Sequence, residues 1–270
     1  MSPASVLYEV IDGVAVVTLN EGDRMNPLTE SLQAGLLDAI ERIRRDTSVR
    51  AMLLTARGRG FCSGADLKDF SQRAATMPHG ESLGSYVGDM MDATGNPITL
   101  GLASMPVPVV CAVNGAAAGG GFGIALAGDI VIAARSAIFY LPFVPALGIV
   151  PDMGATWSLI RSIGRARAVA LTLMGEKLPA EKAFEWGMIW ACVPDEELQA
   201  EAMKIALRMA ALPAHAITET RELFEAAETN TFAQQLKLER DRQEALIGGE
   251  SFAESVRAFV ERRKPVFRGR

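Results

Sequence analysis

This sequence is short of cysteine, histidine and positive charge, and each shortage removes a class of function. Its three cysteines, Cys62, Cys111 and Cys192, stand far apart with no CxxC pair. They make neither a disulfide framework nor a zinc site. The two histidines, His79 and His215, have no second ligand at metal-binding spacing, and no metal is expected. Lys and Arg number 27 against 32 Asp and Glu, a net charge of -5. Such an acidic balance excludes the clustered positive surface that grips nucleic acid. No stretch supplies 18 charge-free apolar residues, and the opening MSPASVLYEV lacks a basic flank followed by an apolar run. The expectation is a soluble, cytoplasmic protein with no membrane partner. One small basic cluster, Arg262, Arg263, Lys264, Arg268 and Arg270, reads as a solvated terminus.

What remains is enough to build a large core: 270 residues, 49% of them hydrophobic. A β-branched run at 14–19 follows Asp12-Gly13, which signals a hairpin with a short preceding strand. Asn26-Pro27 offers a helix cap and a first-turn proline, and Leu28, Leu32, Leu36, Leu37, Ile40 and Ile43 recur at helical spacing to about Asp46. Strands are predicted at 51–55, 107–113, 130–133 and 138–141, with a polar, mobile-looking segment at 68–101. The alternation marks an α/β protein. From residue 196 onward the pattern is helical only, which divides the chain into a core at 1–195 and a helical region at 196–270. That region either folds back on its own core or packs against another subunit.

Two glycine-rich segments each follow a predicted strand, one at 58–67 and one at 114–123. A glycine-lined turn entering a helix leaves backbone N–H groups unpaired. Side by side, two such turns can pinch one oxygen between two donors, which is an oxyanion hole for the charge that builds on a carbonyl oxygen. Three other readings compete. Gly119-Gly120-Gly121 can serve close helix packing alone. A dinucleotide loop needs G-x-G-x-x-G and an acid about twenty residues on, and neither is present. Gly60-Phe61-Cys62-Ser63-Gly64 fits a nucleophile elbow, with Asp152 and His215 following in order. However, the strand at 51–55 ends too far before Cys62 for that turn.

Phe61-Cys62-Ser63-Gly64-Ala65-Asp66-Leu67, Asn114-Gly115 through Gly121, and Ala127-Gly128-Asp129-Ile130 resemble the signature segments of the crotonase (enoyl-CoA hydratase/isomerase) superfamily. The resemblance implies a spiral of β-β-α turns and a C-terminal helical trimerisation region, hence a homotrimer or a dimer of trimers. It implies an acyl-CoA thioester as substrate, with no separate cofactor. The oxyanion donors become the N–H groups of Ala65 and Gly120, with Gly64 and Gly119 beside them. By the same analogy Met25, Asp66 and Leu67 help hold the coenzyme, and Phe143, Val144 and Trp157 line the acyl pocket.

Acid-base residues decide the reaction within that superfamily. The two positions where hydratases carry glutamates fall here at Gly123 and Val144. Neither moves a proton. The remaining acid is Asp152, which either caps a helix through 158–163 or works as a proton carrier. Val150-Pro151-Asp152-Met153-Gly154 and 183–190 are similar to the branch that isomerises ring-epoxidised phenylacetyl-CoA, although Gly123 stands where that branch tends to carry an amide side chain. The resemblance implies an isomerase in which Asp152 shuttles a proton. Hydration, thioester hydrolysis, dehalogenation and non-catalytic acyl-CoA binding are the alternatives.

Overall fold

The computed structural model describes residues 4–267, so Arg268 and Arg270 of the basic cluster lie outside the described residues. β1 (Val6–Ile11) and β2 (Val14–Leu19) form an antiparallel hairpin. Asp12 and Gly13 both have positive φ, the left-handed pair a tight hairpin requires. After this the chain spirals, giving one strand to each of two sheets per turn. β3 (Ala51–Ala56) is followed by β4 (Gly60–Cys62), β5 (Val109–Val113) by β6 (Ala116–Ala118), and β7 (Ile130–Ala134) by β8 (Ile138–Tyr140). β9 (Leu178–Pro179) and β10 (Ala191–Val193) complete the sheets, whose orders are β1-β2-β3-β5-β7-β10 and β4-β6-β8-β9. Within each turn-related set, β3-β5-β7 and β4-β6-β8, neighbours run parallel. β3 and β5 are buried along their whole length, which is why they read as unbroken apolar runs rather than alternating ones.

The first helix, α1 (Glu30–Arg45), starts later than its proline suggests. Thr29 is the cap, its hydroxyl accepting from the Leu32 N–H at 3.2 Å. Asn26 has another task. It is fully buried in a left-handed conformation, its Nδ2 donating to the carbonyls of Arg57 (3.0 Å) and Gly60 (2.9 Å) while its Oδ1 accepts from the Glu21 N–H at 2.7 Å. Asparagine tolerates that backbone better than other side chains do, and here it staples the chain before α1 to the strand that carries the first glycine-rich turn.

The segment expected to be irregular is largely helical: α2 (Leu67–Thr76), α3 (Leu83–Met90) and α4 (Asn96–Ala103), the last two joined through a π-type turn at Met91–Gly95. Asp66 and Ser82 cap the first two. α5 (Gly120–Leu126), α6 (Ala155–Met174) and α7 (Ala180–Glu185) belong to the spiral. α8 (Leu198–Ala210) lies against β3 and β5, where Gln199 donates to the Thr55 hydroxyl at 2.8 Å. α9 (Ala214–Ala227) is bound to the core by Arg221, which pairs with Asp129 and donates to the Val107 carbonyl at 2.9 Å. α10 (Phe232–Ile247) and α11 (Glu250–Val260) extend from it and leave Phe224, Phe232 and Phe259 exposed. No described helix is long and apolar enough to cross a membrane.

Replacing Asn26 by alanine strands buried carbonyls and an amide, and each such group costs about 1–3 kcal/mol. Urea unfolding of Asn26→Ala is expected to show a loss of about 2–4 kcal/mol. A change below about 0.5 kcal/mol would mean the staple is unnecessary.

Candidate active site

β4 and β6 are parallel neighbours, with Cys62 opposite Ala117, so the turns that follow them leave the sheet from the same end. Gly64 has φ +81°, and a Cβ there would stand 2.8 Å from the Ala118 oxygen and 3.1 Å from the Gly120 nitrogen. Only glycine allows this contact. The outer edges of both turns are tied down: the Leu28 N–H donates to the Gly64 oxygen at 2.8 Å, and the Gly119 N–H to the Tyr140 oxygen at 3.0 Å. Among the described residues, the N–H groups of Ala65 and Gly120 donate to no acceptor.

Asp152 arrives from the passage between β8 and α6. Its carbonyl accepts from the Ala155 N–H at 2.9 Å, but its carboxyl does not cap α6, whose cap is Gly154. Oδ1 is buried without a hydrogen-bond partner and lies 3.8 Å from where a Cβ on Gly120 would be. Burial pushes this carboxyl up to about 6, well above the ordinary aspartate range. The next residue, Met153, has φ +51°. Its backbone oxygen would be 2.3 Å from a Cβ at Gly123, and its Cγ 3.2 Å from one at Gly120. The Asp152 loop therefore occupies the space that a side chain at position 123 would need.

Ala65, Gly119, Gly120 and Asp152 border one cavity of about 200 Å³. Its other walls are mostly apolar, including Leu28, Leu67, Phe70, Met90, Phe143 and Leu147, and Asp152 is the one carboxyl group on it. A polar groove carrying Arg24, Asp66, Lys68 and Arg73 adjoins this cavity, sharing Leu28, Gln33, Phe70 and Met90 with it.

The profile of the enoyl-CoA hydratase/isomerase family matches residues 9–270. The chain belongs to this family, the crotonase superfamily. It is 43% identical to a 1,2-epoxyphenylacetyl-CoA isomerase of Escherichia coli, over 98% of both chains. A protein of Rhodobacter capsulatus named as a probable enoyl-CoA hydratase is 39% identical over the full length of both. A crystal structure described as an enoyl-CoA hydratase/isomerase from Mycobacterium abscessus superposes with a TM-score of 0.90 at 33% identity, covering 98% of this chain and 100% of that one. The crotonase spiral expected from the signature segments is therefore the fold of this chain.

Three residues read from the sequence as site residues stand elsewhere. Trp157 is 55% exposed, with the Arg161 guanidinium 4.0 Å from its ring centre. α6 turns Ala155, Leu159 and Ile163 inward, which directs position 157 outward at 3.6 residues per turn. Val144 is absent from the cavity wall, where its π-turn neighbours Phe143 and Leu147 lie instead. Met25 packs its side chain near Gly60, and its carbonyl accepts from the Ser63 N–H at 3.0 Å. It supports the first turn from behind. Asp66 caps α2 and pairs with Arg24 at the groove. Cys62 is buried in β4 with its thiol pushed up to about 12, unsuited to serve as a nucleophile. The sequence reading missed Gln33, Met90 and Met153; a polar Gln33 within the apolar stripe of α1 was the available signal.

An aspartate whose folded-state pKa is raised is stabilising only while protonated. Its ionisation penalty is absent below the unfolded-state value near pH 4 and complete above about pH 6. At about 1.4 kcal/mol per pKa unit, the penalty is at most about 3 kcal/mol. The stability of Asp152→Asn relative to wild type should therefore rise between about pH 4 and pH 7. A difference that stays flat with pH would contradict the burial of this carboxyl.

Proposed function

We propose that the protein is an acyl-CoA isomerase that works through a thioester enolate. The observation that carries this reading is the Asp152 carboxyl, its Oδ1 buried without a partner, on the same apolar cavity as two free amides. The thioester oxygen sits between the N–H groups of Ala65 and Gly120. There the negative charge that forms when the adjacent carbon loses a proton meets fixed donors, each typically worth about 3–4 kcal/mol in the transition state. Asp152, as carboxylate, takes the proton and returns it to another carbon of the acyl chain. Its raised pKa suits both halves of that exchange near neutral pH.

Hydration needs a second acid-base group to activate water. Gly123 and Val144 supply none, and the Met153 backbone leaves no room for a longer side chain at 123. An apolar cavity of about 150 Å³ is enough to bind benzene, so the cavity here suits a ring or a short chain. Together with the Escherichia coli relative, this favours 1,2-epoxyphenylacetyl-CoA and 3-enoyl-CoA esters as substrates. The polar groove beside Asp66 and Leu67 receives the coenzyme. A homotrimer belongs to the same reading, because α9 to α11 leave large aromatic side chains open on a single chain.

With 3-hexenoyl-CoA and 1,2-epoxyphenylacetyl-CoA as substrates, the wild type should isomerise one or both, and Asp152→Asn should lose about 10²- to 10⁴-fold in kcat. Wild-type kcat/KM should rise as pH passes about 6, as the carboxylate forms. Hydration of crotonyl-CoA at a rate matching isomerisation, or unchanged isomerisation by Asp152→Asn, would overturn the assignment.

A further inference from the structure

Gln33 is a polar side chain built into the apolar wall of the cavity that holds Asp152. It is 3% exposed and projects from the first turn of α1. Its orientation is decided by its neighbours. The Leu28 carbonyl can only accept, so the atom 2.9 Å from it is Nε2, while the Thr94 hydroxyl donates to Oε1 at 2.6 Å. One hydrogen of Nε2 is thus spent on Leu28. The other has only the Met90 sulfur, at 3.9 Å, and a thioether is a weak acceptor.

A buried N–H with so poor a partner is costly unless something better fills the site. Gln33 and Met90 both border this cavity as well as the polar groove, so the weakly engaged hydrogen lies beside the space that an acyl group would enter. We infer that Gln33 is a specificity residue whose second N–H binds an oxygen atom carried on the acyl group, distinct from the thioester oxygen. The inference rests on the acyl-CoA reading above and narrows its substrate class to acyl groups bearing an epoxide, hydroxyl or carbonyl oxygen. Thr94 and Leu28 hold the amide in place, which restricts the oxygen to one position. A plain hydrocarbon chain leaves the N–H facing carbon, so the site selects against it by difference rather than by exclusion.

Two unreactive ligands test this without turnover: (2-hydroxyphenyl)acetyl-CoA and phenylacetyl-CoA, titrated calorimetrically into the wild type and into Gln33→Met, which keeps the volume and removes the amide. The wild type should bind the oxygen-bearing ester up to about tenfold more tightly, the upper range for one neutral hydrogen bond. Gln33→Met should bring the two affinities together. Equal binding by the wild type overturns the inference, whether or not the variant folds, and so does a preference that survives in a folded Gln33→Met. If neither ester binds, the acyl-CoA reading fails as well; if both bind without preference, only the role of Gln33 fails.

Discussion

The contact between Gly64 and the Gly119-Gly120 backbone is the constraint on which the site depends. Two parallel strands, β4 and β6, end side by side, and the turns that leave them touch through atoms that admit no side chain. Around that contact, main-chain acceptors take up the N–H groups of Leu28, Ser63 and Gly119. The amides of Ala65 and Gly120 are left over. On the proposed reading, donors held by the backbone in this way need no reorganisation when charge develops between them. The Asn26 staple and the Met25 carbonyl hold the first turn from behind.

Over this backbone feature the chain places a group that the fold would do better without. A buried aspartate whose Oδ1 has no partner is destabilising once ionised, and α6 does not need it as a cap, because Gly154 takes that position. Perturbed carboxyls that serve no structural role cluster at functional sites. Met153 accounts for its position: held in the left-handed region, it presses its backbone onto Gly123 and its side chain onto Gly120 and Gly95, which leaves the Asp152 Oδ1 3.8 Å from where a Cβ on Gly120 would be. The same packing explains why position 123 carries neither the carboxylate of a hydratase nor an amide.

Much of this was legible in the sequence where local chemistry and tertiary structure agree. The Asp12-Gly13 hairpin, the buried strands and the two glycine-rich turns are written in consecutive residues. So is the absence of carboxylates at 123 and 144. Most of the failures share a cause: they concern which way a side chain faces once an element is placed. Asn26 looked like a helix cap because it precedes a proline, yet the left-handed backbone turned it into the core. Trp157 read as a pocket wall by family analogy, yet standing two residues past the inward-facing Ala155 sends it to solvent. The helices between 67 and 103 are a different miss, in a polar segment that reads as irregular. Gln33 was passed over because a single polar residue in an apolar stripe has no meaning until its partners are known.

The most direct test is a crystal structure of the protein with an unreactive acyl-CoA ester bound. The account predicts the thioester oxygen about 2.7–3.1 Å from both the Ala65 and Gly120 nitrogens, with the Asp152 carboxyl facing the carbon beside the thioester. A thioester oxygen bound away from either amide, or an Asp152 side chain turned out to solvent in the complex, would contradict it.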